Sequence, residues 1–150
     1  MAATLALPGM NGVLATLGGH RVLSGRIGGI EGLRLRLRAG LPYAALESLQ
    51  AGYALDERLL REVLGIPPRT LARRKSQRRF SSEESDRLFR LARIVTLAGE
   101  TLGGRDSARD WLQGPNRALA GDVPLRRLDT DLGARQVEEL LGRIAHGLFS

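Results

Sequence analysis

Cysteine is absent from the 150-residue sequence, which excludes a disulfide framework, a zinc-thiolate site and a thiol nucleophile and makes a reducing cytoplasm the natural setting. Histidine is scarce: His20 and His146 are the only two, and neither stands at metal-ligand spacing from another histidine or a cysteine. The glycine-rich stretch 25–32 has neither the GxGxxG nor the Walker spacing that cradles phosphate. Ser24 and Ser48 lack the neighbouring base and the strand-to-helix elbow of a serine nucleophile. Asp106 and Asp110 fall on one helix face, but a cap and a surface carboxylate account for both. No enzyme, metal or cofactor is expected from this inventory. Nowhere do eighteen apolar residues run together, and residues 1–12 lack a basic start followed by an apolar core, so neither a membrane span nor export is expected. There is no repeat of fixed period and no long linker.

What is present is a hydrophobic fraction of 43%, enough for one domain or for two small ones sharing a core. The net charge of +7 is unevenly placed: residues 1–80 carry 13 basic against 5 acidic side chains, and residues 81–150 carry 10 against 11. A polyanion-binding half joined to a neutral half is the simplest electrostatic reading. Arginine supplies 22 of the 23 basic residues, but a bias toward arginine would not by itself select one half.

Residues 1–16 are rich in small side chains and show no periodicity, which predicts a mobile N-terminal arm or a loosely docked lead-in. Residues 17–23 read as a turn into a short extended piece. Ile30, Leu33 and Leu37 suit a helix over 30–38; Leu33, Leu35 and Leu37 with intervening arginines would equally suit a strand, and the stop and restart signals of Gly40 and Pro42 decide for helix. A helix over 43–51, with Leu46 and Leu49 on one side, is closed by Gly52. Asp56 caps a helix over 57–64, whose apolar members Leu59, Leu60, Val63 and Leu64 recur every three to four residues. After Gly65, Pro67-Pro68 opens another helix through about Gln77. Counted from Glu57, Gly65 is ninth, Ile66 tenth and Leu71 fifteenth, the places where a helix-turn-helix needs its turn and two buried side chains. Position five, usually small, is Arg61, which leaves open a unit used for dimerisation.

Ser81 and Glu84 form a capping box at the start of the longest helix, whose stripe is Leu88, Leu91, Ala92, Val95, Ala98 and Leu102, with Gly103-Gly104 as its stop. Asp106 is expected to cap a short helix to Gln113 that turns Trp111 and Leu112 inward. Gly114-Pro115-Asn116-Arg117 then forms a turn, Pro124 opens a brief helical turn, and Thr130 or Asp131 caps a last helix to His146 with Val137, Leu140, Leu141 and Ile144 buried.

Two sets of side chains stand out. Arg69, Arg73, Arg74, Lys75, Gln77 and Arg78 give the second helix-turn-helix helix the mixture that grips phosphates and reads base edges, the alternative being a solvated face. Asn116 and Arg117 either cap neighbouring helices or face a partner. Gln136, Glu139, Arg143 and His146 lie opposite the buried stripe of the last helix. Gly142 within that helix costs about 1 kcal/mol relative to alanine, which argues for close approach by another backbone, from the fold or from a partner.

The marks Gly40-Leu41-Pro42, Gly65-Ile66 with Thr70-Leu71, Arg90-Leu91-Ala92-Arg93, Trp111-Leu112 with Pro115-Asn116 and Ala118-Leu119, Pro124-Leu125 with Leu128-Asp129-Thr130, Gly133, Val137, Leu141-Gly142-Arg143-Ile144 and Gly147 occur in this order. In them the chain, from about Leu17 to Ser150, resembles the Xre/MbcA/ParS antitoxins, partners of RES-domain toxins. The resemblance implies an all-α, non-enzymatic antitoxin: a Cro-like helix-turn-helix half over 17–80 that binds DNA or dimerises, and a toxin-binding half over 81–150. The implied partner resembles ADP-ribosyltransferases and depletes NAD, and inhibition occludes its NAD pocket. On this reading Asn116, Arg117, Arg143, His146 and Gly147 lie at the contact. Glu138, Glu139 and the Ser150 terminus are expected as plugs of a basic pocket, with Leu148 and Phe149 as apolar anchors, so that deleting 147–150 leaves the chain folded but weakens inhibition. Repression of its own operon by binding operator DNA, and a homodimer within a larger hetero-oligomer, are expected. The other reading is a stand-alone helix-turn-helix regulator with a helical dimerisation or sensing domain.

Overall fold

The computed structural model describes residues 9–147, whose regular elements are all helical, with no strand among them. The chain runs α1 Met10–Thr16, α2 Gly19–Leu23, α3 Gly29–Ala39, α4 Tyr43–Tyr53, α5 Glu57–Leu64, α6 Pro68–Gln77, α7 Ser82–Leu102 and α8 Arg105–Gln113. Two 3-10 turns, Arg117–Leu119 and Pro124–Asp129, precede α9 Asp131–Ala145. None of the helices described is long and apolar enough to cross a membrane.

The spine is α7. Its N-terminus is sealed by a capping box: Ser81 Oγ accepts from Glu84 N at 3.2 Å and Glu84 Oε1 from Ser81 N at 2.8 Å. Leu88, Leu91, Ala92, Ile94, Val95 and Ala98 are buried along it, and α1, α3, α5, α8 and α9 all pack on it. Each such leucine removed from water contributes roughly 2 kcal/mol. One continuous core results, reaching from Val13 to Leu141, so the boundary expected at 80/81 falls at the cap of a helix that both halves share.

Local caps account for most other boundaries. Asp56 Oδ1 accepts from Leu59 N at 3.0 Å to start α5, and Thr130 Oγ1 accepts from Gly133 N at 3.0 Å to start α9. Gly65 closes α5 at φ +63°, and Ile66 and Leu71 are buried as the helix-turn-helix count requires.

The structure corrects several expectations. Residues 10–16 are a helix, not a mobile arm: Val13 and Leu17 are buried, and Thr16 shares a 2.6 Å hydroxyl hydrogen bond with Thr96 of α7. Met10, Val13, Leu14 and Leu17 fall at three-to-four-residue spacing, a short stripe whose Val13, Leu14 and Leu17 pack into the core; residues 1–8 lie outside the described residues. Residues 19–23 are a short helix rather than an extended piece. Helix α4 runs through Gly52 to Tyr53, because Tyr53 is buried against Gly99, and Ala54 makes the left-handed stop at φ +51°. The cap of α8 is Gly104, with Asp106 in the first turn. Trp111 is only half-buried while Leu112 is fully so. In α9 the buried arc is Gly133, Ala134, Val137 and Leu141; Leu140 and Ile144 flank it half-exposed.

Candidate functional site

The two sets of side chains singled out above occupy different surfaces. On α6, Arg69, Arg73, Lys75, Gln77 and Arg78 are exposed. Arg69 and Arg73 are four residues apart and so share one face, opposite buried Leu71. Arg78 ends the helix in the left-handed region at φ +67°, and its carbonyl accepts from Tyr43 N at 3.0 Å. Arg74 departs from the expectation of a DNA contact. Its Nε donates to Glu84 Oε1 at 2.7 Å and its Nη2 to Glu84 Oε2 at 3.1 Å, while Nη1 donates to Gln77 Oε1 at 3.3 Å.

Burial of Glu84 works to raise its carboxyl pKa, but the Arg74 guanidinium and the Ser81 backbone and hydroxyl outweigh it and hold the group below the ordinary 4.5. A depressed folded-state value means stability present above about pH 4.5 that is lost as pH falls through the lower folded value. Melting temperature of the wild type will therefore fall on acidification below that point, and Glu84→Gln will lower the melting temperature at neutral pH yet flatten the acid limb. Circular dichroism melts across an acid series measure both; an equally steep acid limb in the variant would refute the assignment.

The second surface joins the turn after α8 to the outer face of α9. Asn116 builds the turn: its Oδ1 accepts from Ala118 N at 2.9 Å, and its backbone carbonyl accepts from Leu119 N at 3.0 Å and Gly121 N at 2.8 Å. The capping role, one of the two readings left open, is thus the one its geometry displays. Arg117 is exposed, with no ion-pair partner among the described residues. Arg127, which carried no signal in the sequence, connects this turn to the last helix: Nε donates to Asp122 Oδ2 at 2.9 Å, Nη2 to Leu119 O at 3.2 Å and Nη1 to Gln136 Oε1 at 3.0 Å. The Arg127 hydrogen bond, with that of Val123 N, holds the Asp122 carboxyl below its usual range.

On α9, Glu139 and Arg143 are exposed and 3.8 Å apart, and His146 Nδ1 lies 2.7 Å from Gly142 O. Gly147 ends the helix exposed at φ +68°. Leu132, at 73% exposure, is the most exposed large apolar side chain described. Glu138 is removed from the plug set, because it pairs with Arg93 of α7 at 3.0 Å, both side chains largely covered. Leu148, Phe149 and Ser150 lie outside the described residues. A Cβ at Gly142 would meet nothing within 4 Å among the described residues, so none of them requires this glycine. At Gly133 a Cβ would stand 1.9 Å from the Arg127 carbonyl oxygen. Two further ties join the halves: Gln113 Oε1 accepts from Asp56 N at 2.7 Å, and the Arg105 guanidinium lies 5.6 Å over the Tyr53 ring.

Comparison with known proteins matches two families along the chain. The family described as the antitoxin Xre-like helix-turn-helix domain matches residues 33–93, and the one described as the antitoxin Xre/MbcA/ParS C-terminal toxin-binding domain matches residues 97–147; the two meet inside α7. Antitoxin Xre of Yersinia enterocolitica is 32% identical over 116 residues, covering 76% of this chain and 78% of its own. Antitoxin Xre of Photorhabdus laumondii is 34% identical over the same length and shares. A chain of the Mycobacterium tuberculosis MbcT-MbcA toxin-antitoxin complex superposes with a TM-score of 0.53 at 24% identity, over 72% of this chain and 96% of that one, a likeness of fold.

Proposed function

The chain belongs to the Xre/MbcA/ParS family of antitoxins, and from this premise we propose that it neutralises a RES-domain toxin that depletes NAD and represses its own operon. The observation that carries the first part is the surface on the matched toxin-binding segment, where the Arg117 turn and the outer face of α9 are braced together by Arg127. Arg117, Glu139, Arg143, His146 and Gly147 supply polar contacts, and Leu132 supplies exposed apolar area. The chain acts by covering the toxin's NAD pocket, not by chemistry of its own. Co-expression with the product of the adjacent reading frame, followed by an NAD-loss assay, tests this. Copurification and preserved NAD support it; NAD loss unchanged by the chain would refute it, and leave the stand-alone regulator.

The second part rests on the exposed Arg69 and Arg73 of α6 in the basic half, acting in a homodimer on a two-fold operator. Arg73→Ala will weaken binding to its own promoter and reduce the slope of log affinity against log salt by about one, as removal of one phosphate contact does. Fluorescence anisotropy at several salt concentrations measures it. A slope equal to that of the wild type would show that Arg73 does not touch DNA.

A further inference from the structure

We propose that Arg74 is a positioning residue rather than a DNA contact: its fork on Glu84 sets the pose of α6 on the first turn of α7. The inference rests on the DNA-reading role of α6. Arg73 and Arg74 are adjacent and chemically identical, but one residue along a helix turns the side chain by about 100°. Arg73 stays with Arg69 on the outer face, and Arg74 swings toward α7, where its side chain is 20% exposed and that of Glu84 9%. Both bonds are short, parallel and charge-assisted, the geometry that only a guanidinium provides.

Glu84 cannot move to follow α6. Its Oε1 also accepts from Ser81 N, so it is fixed by the cap that starts α7. The neighbouring residues hold the remaining helix-turn-helix elements in the same way. Buried Ser85 accepts from Leu41 N at 2.7 Å through its Oγ, anchoring the entry to α4, and Arg87 Nη1 donates to Leu64 O at 2.8 Å, closing the end of α5. Three side chains within one turn of α7 thus grip the elements before, within and after the helix-turn-helix turn. Of the three, the Arg74–Glu84 pair alone reaches α6. Beside it, α6 is held by its one buried side chain, Leu71, and at its C-terminal end by the bond of Tyr43 N to Arg78 O; the fork adds the polar tie that orients the helix against α7.

The test uses the full chain and a duplex taken from upstream of its own gene, with affinity measured by fluorescence anisotropy over a series of salt concentrations. Arg74→Lys keeps the charge and loses the fork; the expected result is an affinity lower by about tenfold with the salt slope of the wild type. Glu84→Gln removes a negative charge from a DNA-binding half, which by electrostatics alone would strengthen binding. The latch requires it to weaken binding by a similar factor, and the double variant to be no weaker than either single one. Circular dichroism is expected to show both variants still helical, since both substitutions keep side chains of similar length. Wild-type affinity in Arg74→Lys, or tighter binding by Glu84→Gln, would overturn the latch. So would a loss of about one unit of slope in Arg74→Ala, matching a phosphate contact. A wild-type chain that binds no promoter DNA even at low salt would instead overturn the reader role of α6 itself.

Discussion

Gly133→Ala is expected to destabilise the protein by about 3 kcal/mol, which for a chain of this size lowers the melting temperature by roughly 10 °C. The position is the third residue of α9, where its amide is held by the Thr130 hydroxyl at 3.0 Å. A Cβ there would lie 1.9 Å from the Arg127 carbonyl oxygen and 2.8 Å from its carbon, and neither is the end of a flexible side chain. Relief requires the backbone of the second 3-10 turn to separate from α9. That movement takes the Arg127 guanidinium with it, and with it the bonds to Asp122, Leu119 and Gln136 that brace the Arg117 turn. Neutralisation of the toxin should therefore fall along with stability. Differential scanning calorimetry of the purified variant gives the first quantity; a melting temperature within a degree or two of the wild type would show that this junction has room that the geometry denies it.

That α9 holds a second glycine, Gly142, with the opposite surroundings shows where a sequence stops being informative. Both interrupt a good helical pattern, and both cost the helix about 1 kcal/mol relative to alanine. One is demanded by a carbonyl oxygen contributed six residues earlier and folded back; at the other a Cβ would meet nothing among the described residues. What local chemistry controls was legible: the Ser81–Glu84 box, the Asp56 and Thr130 caps, the α7 stripe and the helix-turn-helix count from Glu57 all rest on residues within a few positions of one another. What remote contacts control was not. Arg73 and Arg74 read alike until Glu84, ten residues on, claims one of them; Glu138 and Glu139 read alike until Arg93 does the same. Helix α1 was missed for a related reason. Its stripe of Met10, Val13, Leu14 and Leu17 is under two turns long and is bracketed by glycines, and its helicity is secured by remote contacts, Thr96 bonding Thr16 and α7 packing against Gly12.

Gly142→Trp is expected to leave the free protein folded and to cost toxin binding about 2–3 kcal/mol, roughly a hundredfold in affinity. The first half follows from the room at the position: a Cβ there meets nothing within 4 Å among the described residues, and any residue is a better helix former than glycine except proline. Gly142→Ala alone should raise the melting temperature by about 3 °C. A residue that destabilises its own helix without serving the fold is explained if another molecule's backbone comes close enough to exclude a Cβ. Gly142 stands one residue before Arg143 and under the His146 ring, within the segment matched to the toxin-binding domain. The two measurements are therefore opposed in sign, which separates interface from fold: calorimetry should show both variants at least as stable as the wild type, and titration against the toxin should show the tryptophan variant failing to protect NAD at concentrations that suffice for the parent. Full protection by the tryptophan variant would place the contact elsewhere and leave Gly142 without a reason in this structure.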